Sequence, residues 1–220
     1  MEDRDMSDKV ITNNQVTIAG EVVGEFVFSH EVYGEQFFVV DIAVRRLSNS
    51  YDIIPVMVSE RLIDVKNDYR GCVLEASGQF RSYNRHEETK NRLELSVFAR
   101  EVTLYEGESG EQNPNHIFLD GYVCKRPVYR KTPFGREIAD VLLAVNRPYR
   151  KSDYIPCICW GRNARYAGQF EVGAHIQLWG RIQSREYQKK VGEEEYVKRT
   201  AYEVSVGKLE IVEKIQEGVE

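Results

Sequence analysis

Over most of the chain apolar and polar residues alternate one for one, the period of a half-buried strand whose successive side chains point to opposite faces. In the second half the alternation runs through 116–130 (HIFLDGYVCKRPVYR), 137–146 (EIADVLLAVN), 153–160 (DYIPCICW), 175–188 (HIQLWGRIQSREYQ) and 196–212 (YVKRTAYEVSVGKLEIV). The run Thr132-Pro133-Phe134-Gly135 reads as a turn. Only 163–170 (NARYAGQF), between the third and fourth strands, has a helical pattern. Five strands with a helix after the third is the plan of an OB barrel. A β-sandwich is the rival, because strand number alone does not fix topology.

The first half repeats this plan. Shifted by 101 positions, twelve residues between 14 and 55 coincide with their mates, among them Asn14/Asn115, Gly20/Gly121, Arg46/Arg147 and Asp52/Asp153. After one inserted residue the register continues through Gly71/Gly173 and Gly78/Gly180. A shared register of that length marks a duplicated unit of about 100 residues. The expected class is all-β: two tandem OB-fold barrels, each of five strands with a short helix between strands 3 and 4. In the first copy that helix falls on 60–69 (ERLIDVKNDY). The boundaries follow: an acidic extension over 1–13, a first domain over 14–106, a linker over 107–114, a second domain over 115–213 and a tail over 214–220.

A net charge of −5 argues against a polyanionic partner until the halves are separated. Residues 1–112 carry 12 Lys+Arg against 21 Asp+Glu, whereas 113–220 carry 18 against 14. Only the second half has the electrostatics to meet phosphate. The acidic start and the lack of a long apolar run predict a cytoplasmic protein with no membrane partner. Four scattered cysteines fit a reducing compartment.

Cys157 and Cys159 invite a metal reading, but their C-x-C spacing is not that of structural zinc sites and the four histidines are dispersed. They stand at the positions of Val56 and Val58 in the first copy, so they read as core. Strand alternation then turns Tyr154 and Trp160 to the opposite face. On the fourth strand Trp179, Arg181, Gln183, Arg185 and Tyr187 share one face, an aromatic and basic row suited to stacking on bases and meeting phosphates. Arg150 and Lys151 add charge in the adjacent loop. No phosphate loop, nucleophile elbow or zincin motif is present, and Glu193, Glu194 and Glu195 read as a solvated hairpin turn, so neither an enzyme nor a cofactor is implied.

The blocks NHIFLDGYV, ADVLLAVNR, SDYIPCICWGRNA, VGAHIQLWGRIQSREY and YEVSVGKLEIV, in that order and spacing, resemble the bacterial single-stranded DNA-binding proteins. The first copy shows a weaker version. The resemblance implies base stacking at Tyr149, Tyr154, Trp160 and Tyr187, and phosphate contacts at Arg130, Arg147, Arg162 and Arg185. Trp179 falls outside the family's stacking positions, leaving two uses open, a base platform or a face turned to a partner subunit. In the first copy Ser48, Ile53 and Ser59 replace three of the four rings, and Tyr83 is matched to Tyr187. That copy is expected to be a scaffold for oligomerisation and the second to hold the strand, with Arg45, Arg46, Arg81 and Arg85 leaving room for a minor role of the first along an extended path.

The resemblance further implies a homo-oligomer, preferably a dimer presenting four barrels, and replication or repair proteins as partners of a nucleoid-associated bacterial protein. The ending EKIQEGVE lacks that family's acidic aromatic tip, which argues against recruiting repair enzymes by that route. Single-stranded RNA stays open beside DNA, because stacking reads neither sugar nor sequence strongly. The alternative from another class is an OB-fold adaptor of the primosome type.

Overall fold

Alternation becomes two closed barrels in the computed structural model, which describes residues 12–46, 48, 50–87, 90–106, 114–190 and 196–212. The first comprises β1 (Asn14–Val22), β2 (Val27–Val32), β3 (Glu35–Arg45), β4 (Tyr51–Ser59), β5 (Val73–Glu87) and β6 (Lys90–Tyr105). The second comprises β7 (Asn115–Val123), β8 (Val128–Lys131), β9 (Glu137–Arg147), β10 (Lys151–Trp160), α1 (Arg162–Ala167), β11 (His175–Lys190) and β12 (Tyr196–Ile211). The extension, most of the expected linker, the triple-glutamate turn and the tail lie outside the described residues.

Each barrel closes through five strands. In the first, β1 pairs with β3, β3 with β4, β4 with β6 in parallel, β6 with β5 and β5 again with β1. The second repeats this ring with β7, β9, β10, β12 and β11. The sixth strand of each copy, β2 or β8, is the far half of the expected first strand. The chain leaves strand geometry over 23–26 and 124–127 and then pairs further along β3 or β9.

The cores are the inward alternate positions, and the repeat holds residue by residue: Ile18/Leu119, Ile42/Leu143, Ile54/Ile155, Val56/Cys157 and Val58/Cys159 are all buried. The shared glycines have a shared cause. A Cβ on Gly20 or Gly121 would lie 2.6 or 2.5 Å from the carbonyl oxygen of Ala43 or Ala144 on the neighbouring strand, an approach only glycine permits.

The helix expected over 60–69 is not there. This segment is a series of turns, in which Asp64 Oδ1 accepts from the Lys66 amide and Asp68 Oδ1 from the Arg70 amide. Asp side chains that capture nearby amides compete with helical bonding, and this stretch has two of them. Ile63 still plugs the barrel end, as Ala164 and Ala167 of α1 do in the second copy.

The two barrels join through one antiparallel ladder. β1 pairs with β7 so that Val16 lies opposite Ile117, Asn14 opposite Leu119 and Ile18 opposite Asn115. Val16 and Ile117 are equivalent in the repeat, so the ladder is centred on a pseudo-twofold axis and the interface is isologous.

Candidate nucleic-acid interface

The same axis generates two junctions where the hairpin of one barrel crosses the other. At one, buried Asp52 of β4 accepts from the amide and hydroxyl of Ser184 on β11, at 2.6 and 3.0 Å, and forms an ion pair with Arg46. Arg46 also donates to the Ser184 carbonyl at 2.7 Å. At the other, buried Asp153 of β10 accepts from the amide and hydroxyl of Ser82 on β5, at 2.8 and 3.4 Å, and from Arg147 at 3.3 Å. The Tyr154 amide donates to the Ser82 hydroxyl at 2.8 Å. The repeated Arg and Asp of the sequence are thus the clasps between copies.

The clasps fix which ring equals which. Ser82 and Ser184 are mates, and both hairpins carry a bulge, at Ser77/Gly78 and at Trp179/Gly180. In this register the mate of Tyr187 is Arg85 and the mate of Tyr83 is Arg185, so matching Tyr83 with Tyr187 is two residues out. The first copy keeps none of the four stacking positions.

The predicted site residues are dispersed along the junctions. Tyr149 sits in a single 3-10 turn, Pro148–Arg150, with Tyr149 and Arg150 both in the left-handed region at φ 61° and 57°. Such backbone is costly for residues with a Cβ, and it leaves the Tyr149 ring 94% exposed. Tyr154 follows on the outer face of β10, beside the Ser82 clasp, and is half-exposed. Trp160 ends the same strand, about 20 Å further on at the rise of a strand, and is also half-exposed. Tyr187 lies on β11 beyond Ser184, at the opposite junction, with the Arg185 guanidinium 6.0 Å from its ring centre. Cys157 and Cys159 face inward, where burial pushes the Cys157 thiol well up and the Cys159 thiol to about 12.

Among the cations, Arg150, Lys151 and Arg162 are exposed and Arg181 is half-buried on β11. Arg130 is engaged, donating to Asp140 at 2.9 and 3.1 Å. Trp179 packs on Phe118 of β7 at 5.1 Å between ring centres, and Lys208 covers it at 4.5 Å. It therefore lies among neighbours of its own sheet, apart from the rings at the strand ends.

Sequence reasoning missed Arg100 and the aromatic row of the first barrel, next to an Arg81 it had named only for a minor role. Arg81 on β5 lies 4.0 Å over the Phe98 ring of β6, and Phe98 continues to Phe37 at 5.7 Å and His30 at 5.0 Å. Phe37 pairs directly with Ser59, the position where the second copy has Trp160. Four outward positions beside each clasp differ between copies: Gln79, Arg81, Ser96 and Arg100 against Arg181, Gln183, Glu203 and Gly207. By formal charge these give +2 in the acidic domain and zero in the basic one. Comparing the copies in both directions would have found them.

Residues 114–212 match the family model described as the Single-strand binding protein family. Single-stranded DNA-binding protein B of Bacillus subtilis is 33% identical over 90 residues, which are 38% of this chain and 80% of that protein. Single-stranded DNA-binding protein 1 of Lactococcus lactis is 34% identical over 90 residues, 38% of this chain and 60% of that protein. The chain thus spans less than two thirds of several curated relatives that it matches, 52% of Single-stranded DNA-binding protein A of Bacillus subtilis being another case. In fold, the crystal structure of the wild-type single-stranded DNA binding protein from Thermus aquaticus superposes over 94% of this chain and 96% of that one, with a TM-score of 0.74 and 18% identity. With two OB barrels in tandem and the second matched in sequence, the chain belongs to the single-strand binding protein family.

Proposed function

We propose that the protein binds single-stranded DNA without reading its sequence. Bases stack on Tyr149, Tyr154, Trp160 and Tyr187, and phosphates meet Arg147, Arg150, Lys151, Arg162, Arg181 and Arg185. The observation that carries this reading is the exposure of all four rings on the family's stacking positions, with cations between them along the chain. Arg130 joins them on release from Asp140. The packing of Trp179 against Phe118 and Lys208 favours its second use, as part of a face turned to another subunit, which suits a homodimer of four barrels. Replication or repair proteins as partners, and a cytoplasmic site of action, belong to the same proposal.

Each stacked base is worth roughly 1–3 kcal/mol by alanine substitution, so the platforms together outweigh the ordering of a short strand. Both tryptophans lie in the second barrel. Titration with oligo-dT is expected to quench their fluorescence, and Trp160→Ala to weaken binding by about 1–3 kcal/mol. Parallel titration with oligo-U measures the preference for DNA. Absence of both quenching and a mobility shift at low salt would return the chain to the adaptor reading.

A further inference from the structure

The two junctions are built alike and charged differently. At the Asp153 junction a cavity of about 50 Å³ is lined by Arg81, Arg100, Arg147, Asn13, Asn146 and Asp153. Three arginines and one carboxylate therefore share this lining, and the carboxylate's Oδ1 already accepts from Arg147 and Ser82. Among the described residues Arg81 has only a neutral hydrogen-bond partner, Gln79 Oε1, at 2.9 and 3.2 Å. Arg100 makes no ion pair among the described residues; it stands in the bulge opposite Ser77 and Gly78. At the other junction the mates of Arg81 and Arg100 are Gln183 and Gly207. There Gln183 donates to Glu203 at 2.7 Å, and Glu203 adds a second acid near Arg46.

Burial, with Arg147 and Arg100 alongside, pushes the Arg81 guanidinium down to about 10, whereas Asp153 pulls the other way. An arginine keeps its proton at neutral pH, so crowding of like charge is relieved by an anion rather than by titration. Planar guanidinium forks are suited to phosphate oxygens.

We propose that this junction is a phosphodiester site, in which Arg81 and Arg100 of the first barrel and Arg147 of the second together hold one backbone phosphate of a strand passing between the barrels. The inference rests on the single-strand reading and extends it to the domain that lacks the family's stacking rings. A strand leaving the site toward the first barrel meets the Arg81–Phe98–Phe37–His30 row, which supplies aromatic surface where Ser59 has replaced a ring.

The test replaces each arginine by its mate from the other junction, Arg81→Gln with Arg100→Gly, in the full chain. Oligo-dT of about 5 nucleotides is compared with oligo-dT of about 20, bracketing the site sizes of one and of two OB barrels. For the long oligomer the slope of log affinity against log salt is expected to fall by about 0.7 for each phosphate no longer neutralised, with binding weakened about tenfold, and the short oligomer is expected to bind as before. Equal slopes for variant and parent on the long oligomer would overturn the proposal, as would an equal weakening for both lengths. Inorganic phosphate is titrated in parallel by calorimetry. Phosphate binding that the variant abolishes, without any change on the long oligomer, assigns the site to a free anion and overturns its role on strands. If the parent binds the short oligomer but the variant leaves the long one unaffected, the junction site fails while the single-strand reading stands. If the parent binds neither, both fail.

Discussion

Cys159 and Val58 occupy one position in the two barrels, so a Cys159→Val exchange isolates what the thiol contributes. Burial, then the nearby Asp140, raises this thiol to about 12 in the folded protein, against about 8.5 for a free cysteine. The folded state therefore holds the proton more tightly. The stability tied to it is complete below the unfolded value and is lost as pH climbs toward the folded one. Denaturant midpoints of parent and Cys159→Val measured at neutral pH and at about pH 10 are expected to diverge, with the parent losing more, by up to about 1.4 kcal/mol per pH unit in that window. The inward direction of this residue was legible from alternation and from its valine mate. The packing of Arg81 on Phe98 was not, because it comes from strand pairing at long range, although Arg81 itself stood among the first copy's candidate cations. Tyr83 misled for a related reason: two aromatic residues near the ends of equivalent hairpins look like mates until the Ser82 and Ser184 clasps set the register.

Among the elements, the long hairpins depend on their bulges. A Cβ on Gly180 would lie 2.3 Å from the Ser205 carbonyl oxygen, and one on Gly78 would lie 2.0 Å from that of Phe98, so neither hairpin can close with a larger residue. Gly180→Ala must push β11 from β12. It is expected to lower stability by about 1–3 kcal/mol, read from urea unfolding, and to weaken oligo-dT binding further by shifting Arg185 and Tyr187. The strands themselves were legible because their period is short and their faces differ. The break between β1 and β2, and that between β7 and β8, were not: both halves of the expected strand still run along one partner, and only the pairing shows the gap. The first copy's helix gave way to Asp64 and Asp68, whose side chains satisfy locally the amides a helix would have used.

For the molecule as a whole, the sheet continues from one barrel to the next through β1 and β7, giving a single twelve-stranded order. The ladder and the two clasps join the halves on either side of the connection between 106 and 114. Cleavage at a protease site placed in that connection is expected to leave the two halves co-eluting at the size of the intact chain on gel filtration. Separation of the fragments at micromolar concentration would contradict an interface built this way. Duplication was legible in the sequence, yet the docking of the copies on each other was not, since periodicity describes each strand against its own core. The halves' opposite net charges suggested a division of labour between domains; the structure adds that local charge at the junctions runs the other way.

Single strands have direction, a 5′ end and a 3′ end. A surface with true twofold symmetry offers the same contacts to a strand laid in either sense. Here the twofold is kept in the ladder and broken beside it, where the mates of Arg81 and Arg100 are Gln183 and Gly207. Because both halves are encoded in one chain, each could change without changing the other. The price of symmetry is indifference to polarity, and in this molecule the symmetry is broken beside the ladder.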